Sequence, residues 1–174
     1  MYLGHVGIAL GVKGMRREVS LLVLLVATYA PDWIDGGLCV VGAYDPRGMF
    51  SHSFPAIALL VVIVLTIFRV KKRDMISGLV VCAVVMSHMI FDWITGYKPT
   101  WPGGPMIGLR LYSHPVANLV LEMVVILIGV FLYRRSLPPR ARPWIDLAAM
   151  AGVLIAMQAI IIVARALTAS LPKC

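Results

Sequence analysis

The chain has 174 residues, 60% of them hydrophobic and 14% charged, with a formal net charge of +8. Soluble domains carry about a quarter charged residues and about half apolar ones, and here the apolar residues come in long blocks, which excludes an ordinary soluble domain and fits a membrane protein. The basic residues sit in short tracts between those blocks, where lysine and arginine set membrane orientation, so the lipid bilayer rather than nucleic acid is the expected partner.

In chain order, two short apolar segments come first, Tyr2 to Val12 and Val19 to Ala30. Each is shorter than the roughly 17–25 residues that span a bilayer, so residues 1–30 are expected to form a short helical hairpin. Four longer segments follow, Phe54 to Val70, Ile76 to Tyr97, Pro115 to Tyr133 and Trp144 to Leu167. The length fits one domain. The fold class predicted over residues 1–174 is therefore all-α, a polytopic membrane helical bundle of four long spans plus the hairpin. Cys39, Cys82 and Cys174 are far apart and show no CxxC spacing, which supports neither a zinc knuckle nor a disulfide framework.

If the segments alternate across the membrane, Lys13, Arg16, Arg17, Arg69, Lys71, Lys72, Arg73, Arg134, Arg135, Arg140 and Arg142 fall on one side. Arg47, Lys98, Arg110 and Lys173 fall on the other, with Arg165 near the boundary. The positive-inside rule makes the first side cytoplasmic. His5, Asp32, Asp35, His52, His88, Asp92 and His114 then converge on the non-cytoplasmic end. The tracts RVKKR and RRSLPPRAR read as anchors for anionic headgroups, and Trp33, Trp93 and Trp101 as an aromatic belt.

The stretch "MSHMIFDWITG" places His88 and Asp92 four apart on one helical face. Imidazole and carboxylate are the ligand types of zinc and similar divalent ions, and a cation offsets the cost of burying a carboxylate. A pair that only ties helices together by hydrogen bonds is the plainer alternative. For His52 the plainer alternative is a helix-start residue beside the capping serines Ser51 and Ser53. Asp32 follows Pro31 at an expected helix end, and Asp35 before Gly36-Gly37 reads as a turn residue. His114 reads as an interfacial loop residue. Glu122, two turns inside an apolar segment, is a metal ligand, a proton carrier or an acid bonded to another helix. "PGGP" at 102–105 is a tight turn able to act as a lid, not a phosphate loop.

These residues resemble the YdjM-like family of small prokaryotic inner-membrane proteins, catalogued as membrane-bound metal-dependent hydrolases. The resemblance covers roughly residues 1–135 and rests on Gly4-His5, Pro31-Asp32 with Asp35, Ser51-His52-Ser53, Ser87-His88 with Asp92, "WPGGPMIGLRL" and Glu122. It implies His5, Asp32, His52, His88 and Asp92 as metal ligands. The chain departs from the family's usual Pro-Asp-x-Asp by one residue in "PDWID", and Pro46 stands where many members have histidine.

The expected function is a metal-dependent hydrolase with its site at the non-cytoplasmic interface, zinc being the first choice of divalent ion. Asp32 or Glu122 would serve as general base, and a lipid or phosphoester would be the substrate. The rival is a transporter-like protein in which the same residues handle protons or cations.

Overall fold

A computed structural model describes residues 2–43, 50–139 and 143–167. Pro46, Arg47, Arg140, Arg142, Lys173 and Cys174 lie outside the described residues. Six helices account for most of the chain: α1 (Gly4–Met15), α2 (Leu21–Val40), α3 (Phe54–Val70), α4 (Met75–Thr95), α5 (Pro115–Tyr133) and α6 (Trp144–Leu167). Two two-residue strands, β1 (Lys98–Pro99) and β2 (Met106–Ile107), pair antiparallel between α4 and α5.

The all-α membrane architecture expected from composition is what forms. Helices α2, α4, α5 and α6 are long and apolar enough to cross a bilayer, and α3 has 17 residues. Leu59, Leu79, Val116, Ile145 and Ile160 are exposed, which is costly in water and natural against lipid.

Helix starts follow local chemistry. Asp74 caps α4 by accepting from the backbone N–H groups of Ile76 and Ser77 at 3.2 and 2.8 Å. Helices α3 and α5 each carry proline in their first turn, where the missing N–H costs nothing.

Helix α2 differs from expectation. The segment was expected to stop at Ala30, yet the helix runs through Pro31 and on to Val40. A proline inside a helix removes one backbone donor, and membrane helices tolerate this when neighbours satisfy the freed groups. Asp32 and Asp35 therefore lie within a helix, three residues apart and near one face, rather than in a turn.

Backbone packing divides the chain into two compact units. The first comprises residues 2–25 and 112–167, with α1, the first turn of α2, α5 and α6. Leu10, Ile126, Val130, Leu147 and Ala151 form its buried core. Along α1 and α5 the backbones touch. A Cβ on Gly129 would lie 2.0 Å from the Gly7 carbonyl oxygen, and one on Gly14 2.0 Å from that of Leu132. Small residues allow such approach between membrane helices.

Glu122, fully buried on α5, meets the start of α1 in the same unit. Its carboxylate accepts from the backbone N–H of Tyr2 at 2.9 Å and of Gly4 at 2.7 Å. Gln158 of α6 accepts from the N–H of Leu3 at 3.0 Å. The first N–H groups of a helix have no partner within it and carry its positive dipole end, so a carboxylate supplied by another helix suits both needs.

The second unit holds the rest of α2, with α3, α4 and the β hairpin, residues 26–111 among those described. Cys82 is a free thiol buried in α4 as packing, whereas Cys39 is disulfide-bonded, contrary to the reading from cysteine spacing. The hairpin is pinned at both ends. The N–H groups of Leu109 and Arg110 donate to the carbonyls of Trp93 and Gly96, while the Thr100 carbonyl accepts from the N–H of Phe54 at 2.8 Å. Phe54 and Trp93 meet edge to face with ring centroids 5.0 Å apart.

Candidate metal centre

Two helices and one turn of the second unit supply the site. Asp32 comes from α2, His52 from the turn that leads into α3, and His88 with Asp92 from successive turns of α4. Each offers one ligand atom, and the four atoms lie within 4.8 Å of one another. His52 Nε2 is 3.1 Å from His88 Nε2, 3.1 Å from Asp92 Oδ2 and 3.3 Å from Asp32 Oδ1. His88 Nε2 is 3.5 Å from Asp92 Oδ2 and 3.6 Å from Asp32 Oδ1. A tetrahedral ion with bonds of about 2.0–2.1 Å sets its donors about 3.3–3.4 Å apart. The measured separations bracket that value.

The far side of each imidazole is also arranged for ligation. His88 Nδ1–H donates to the Thr28 backbone carbonyl of α2. His52 Nδ1 faces Ser51 Oγ at 2.6 Å and Asp35 Oδ2 at 3.3 Å, and Ser51 Oγ in turn donates to Asp35 Oδ1. An acceptor at Nδ1 fixes the tautomer and leaves the Nε2 lone pair for a cation. Two Nε2 atoms and two carboxylate oxygens then face one another with acceptors alone. Only a positive charge, a metal ion or a proton, holds such a group together. The buried Asp/His/His/Asp group is thus able to bind a metal.

Exposure differs among the four. The side chains of His52, His88 and Asp92 are 1%, 0% and 6% exposed, that of Asp32 41%. Asp32 forms the open edge of the group.

His52 stands outside the spanning helices, and its titration has a clear sign. Burial alone would depress its pKa, but the carboxylates of Asp32, Asp35 and Asp92 outweigh burial and lift it to about 10. Without metal its proton contributes stability that is complete below an unfolded-state pKa of about 6.5 and lost as pH rises through about 10. An incoming ion must displace that proton. We therefore expect Zn²⁺ titration of the detergent-purified protein near pH 7 to release protons. Apparent affinity should rise up to tenfold per pH unit towards 10, as read by calorimetry in buffers of different ionisation enthalpy. An affinity independent of pH would contradict this assignment.

The remaining sequence candidates fall elsewhere. His5 is fully buried on α1, and Glu122 on α5, both in the first unit, and neither is among the four donors. His114 stands exposed at the start of α5. Asp35 and Ser51, read as turn and capping residues, sit instead behind His52. Helical continuation past Pro31 was the missing signal, since it brings Asp32 and Asp35 one turn apart. Thr28 contributes only backbone, and nothing in its side chain announces that.

Fold and site together define an all-α integral membrane protein with a buried histidine–aspartate group able to hold a metal ion. The chain belongs to the YdjM inner membrane protein family, whose model matches residues 3–167. The match extends beyond residue 135, the limit of the resemblance in sequence motifs, and takes in α6. No curated protein and no solved structure matches the chain.

Proposed function

We propose that the chain is a membrane-embedded metal-dependent hydrolase, with zinc the ion that the two-nitrogen, two-oxygen donor set suits best. The observation that carries this reading is the cluster of Asp32 Oδ1, His52 Nε2, His88 Nε2 and Asp92 Oδ2 at tetrahedral-edge separations. Such an ion supplies Lewis-acid polarisation and lowers the pKa of water towards neutrality.

The residues divide by exposure. His52, His88 and Asp92 would hold the ion permanently, with the His52 ring oriented by Ser51 and Asp35 and the His88 ring by the Thr28 carbonyl. Catalytic sites keep one position open, and Asp32, the most accessible of the four donors, would be the one to yield its place to water. Its carboxylate takes the proton of the attacking water. The water oxygen bonds to the ester's electrophilic atom, the ester bond breaks, and the proton passes to the departing alkoxide. Glu122 is assigned to holding the start of α1 and not to the chemistry, and His5 to the packing of its own unit.

The placement of charge supports a site on the non-cytoplasmic side. The basic tracts lie before α2, between α3 and α4, and after α5. His88 is about 20 Å along α4 from its tract, and Asp32 about 16 Å along α2, at 1.5 Å rise per residue. A substrate with an apolar part, a lipid or a phosphoester of one, fits that depth.

Metal analysis of the detergent-purified protein tests the reading. One divalent ion per chain is expected, falling below a tenth of that in His88→Ala. Absence of metal together with cation or proton flux in reconstituted vesicles would favour the ion-handling alternative.

A further inference from the structure

We propose that Lys98, on the hairpin pinned beside both His52 and Asp92, is the anion-recognising residue of the centre, and that the group it receives is the phosphate of a phosphoester. This inference rests on the metal-centre reading above and adds the substrate's charged group to it.

The hairpin's anchors fix where Lys98 stands. On one side the Gly96 N–H donates to the Asp92 carbonyl, and Gly96 in turn accepts from the N–H of Arg110. On the other, the Thr100 carbonyl holds the N–H of Phe54, two residues after His52. Lys98 lies midway between Gly96 and Thr100 and pairs with Ile107 in the strand register. The tip is closed by Thr100, whose N–H and Oγ1–H both donate to the Pro105 carbonyl at 3.1 and 2.9 Å. A Cβ on Gly108 would lie 2.2 Å from the Gly96 oxygen, so the return strand is tight against the end of α4. Lys98 is therefore carried on a short, braced support and not on a free loop.

Lys98 is half-buried, and among the described residues its ammonium has no carboxylate partner within ion-pair distance. Arg110, on the same hairpin, is differently engaged, its guanidinium lying over the Tyr97 ring 3.8 Å from the centroid.

Charge arithmetic shows why the centre needs such a group. Asp32, Asp35 and Asp92 bring three negative charges and a divalent ion two positive ones, leaving one negative charge in a poorly screened place. A site of that sign repels a phosphate. One ammonium restores neutrality, and lysine is a point-charge partner for phosphate oxygens. A neutral carboxylic ester would have no use for it. The phosphate is borne either by a lipid headgroup or by a soluble ester, and both present the same oxygens to Lys98.

The test uses the full-length protein in detergent, loaded with Co²⁺ so that its visible bands report on the centre. Inorganic phosphate added to the wild type is expected to shift the bands. In Lys98→Gln the cobalt content and phosphate-free spectrum should be unchanged while half-saturation moves to at least tenfold higher phosphate. Lys98→Arg should stay within about threefold of wild type, since it keeps the charge. The source of the phosphate is read in nanodiscs of phosphatidylcholine with and without phosphatidic acid. Band shifts from phosphatidic acid assign a lipid headgroup, and shifts from soluble phosphate alone assign a soluble ester. A wild-type spectrum unmoved by either probe, or equal phosphate affinity in wild type and Lys98→Gln, overturns the proposal and leaves the metal centre standing. Failure of the wild type to bind cobalt removes the metal centre itself, and this inference with it.

Discussion

Asp32→Asn is expected to keep its metal and lose hydrolysis by roughly 10²–10⁴-fold, the range a positioned general base contributes. The neutral amide still presents an oxygen at the open edge but cannot take a proton from water. His52, His88 and Asp92, all nearly inaccessible to solvent, continue to hold the ion. Asp92→Asn should behave differently, losing metal because one buried anionic ligand is gone. Parallel measurements of bound metal by mass spectrometry and of turnover on a chromogenic phosphoester separate the two. Loss of metal from Asp32→Asn to the level of His88→Ala would make Asp32 a permanent ligand, and full turnover would remove its role as base.

Gly129→Leu should destabilise the first unit severely. Overpacking a core usually costs about 1–3 kcal/mol because flexible side chains give way, but here the obstruction is backbone. The Cβ of residue 129 would enter the Gly7 peptide, with 2.0 Å to its oxygen and 2.6 Å to its carbonyl carbon, so α1 and α5 must separate. The cost lies at or beyond the upper end of that range, and the start of α1, which Glu122 holds, moves with it. Gly152→Ala on α6 is the matched control, since nothing lies within 4 Å of its added carbon and alanine is favoured over glycine in a helix by up to about 1 kcal/mol. Thermal unfolding in detergent should show a large drop for the first variant and no loss for the second. Equal melting temperatures would contradict the close approach of α1 and α5.

What could be read in the sequence follows the strength of each physical signal. Long apolar blocks at Phe54 to Val70, Ile76 to Tyr97, Pro115 to Tyr133 and Trp144 to Leu167 announced helices, because twenty apolar residues have few other uses. The four-residue spacing of His88 and Asp92 announced a shared face. Helix α2 was less legible. Proline, two aspartates and two glycines in "PDWIDGG" all favour turns in water, and only the surrounding helices and the polar centre make a helix there the better solution. The second layer behind His52 stayed hidden for the same reason. Glu122 was visible as an anomaly, but its partners, the backbone N–H groups of Tyr2 and Gly4, carry no side-chain signature and had no trace in the sequence.

The two histidines differ in what stands behind them, and that difference bears on how the centre tolerates genetic drift. His88 leans on the peptide oxygen of residue 28, an atom that every amino acid supplies, so no codon change at that position deletes it outright. His52 leans on a hydroxyl and a carboxylate, Ser51 and Asp35, each removable by a single nucleotide substitution. Inheritance thus safeguards one imidazole by default and leaves the other exposed to chance at two loci.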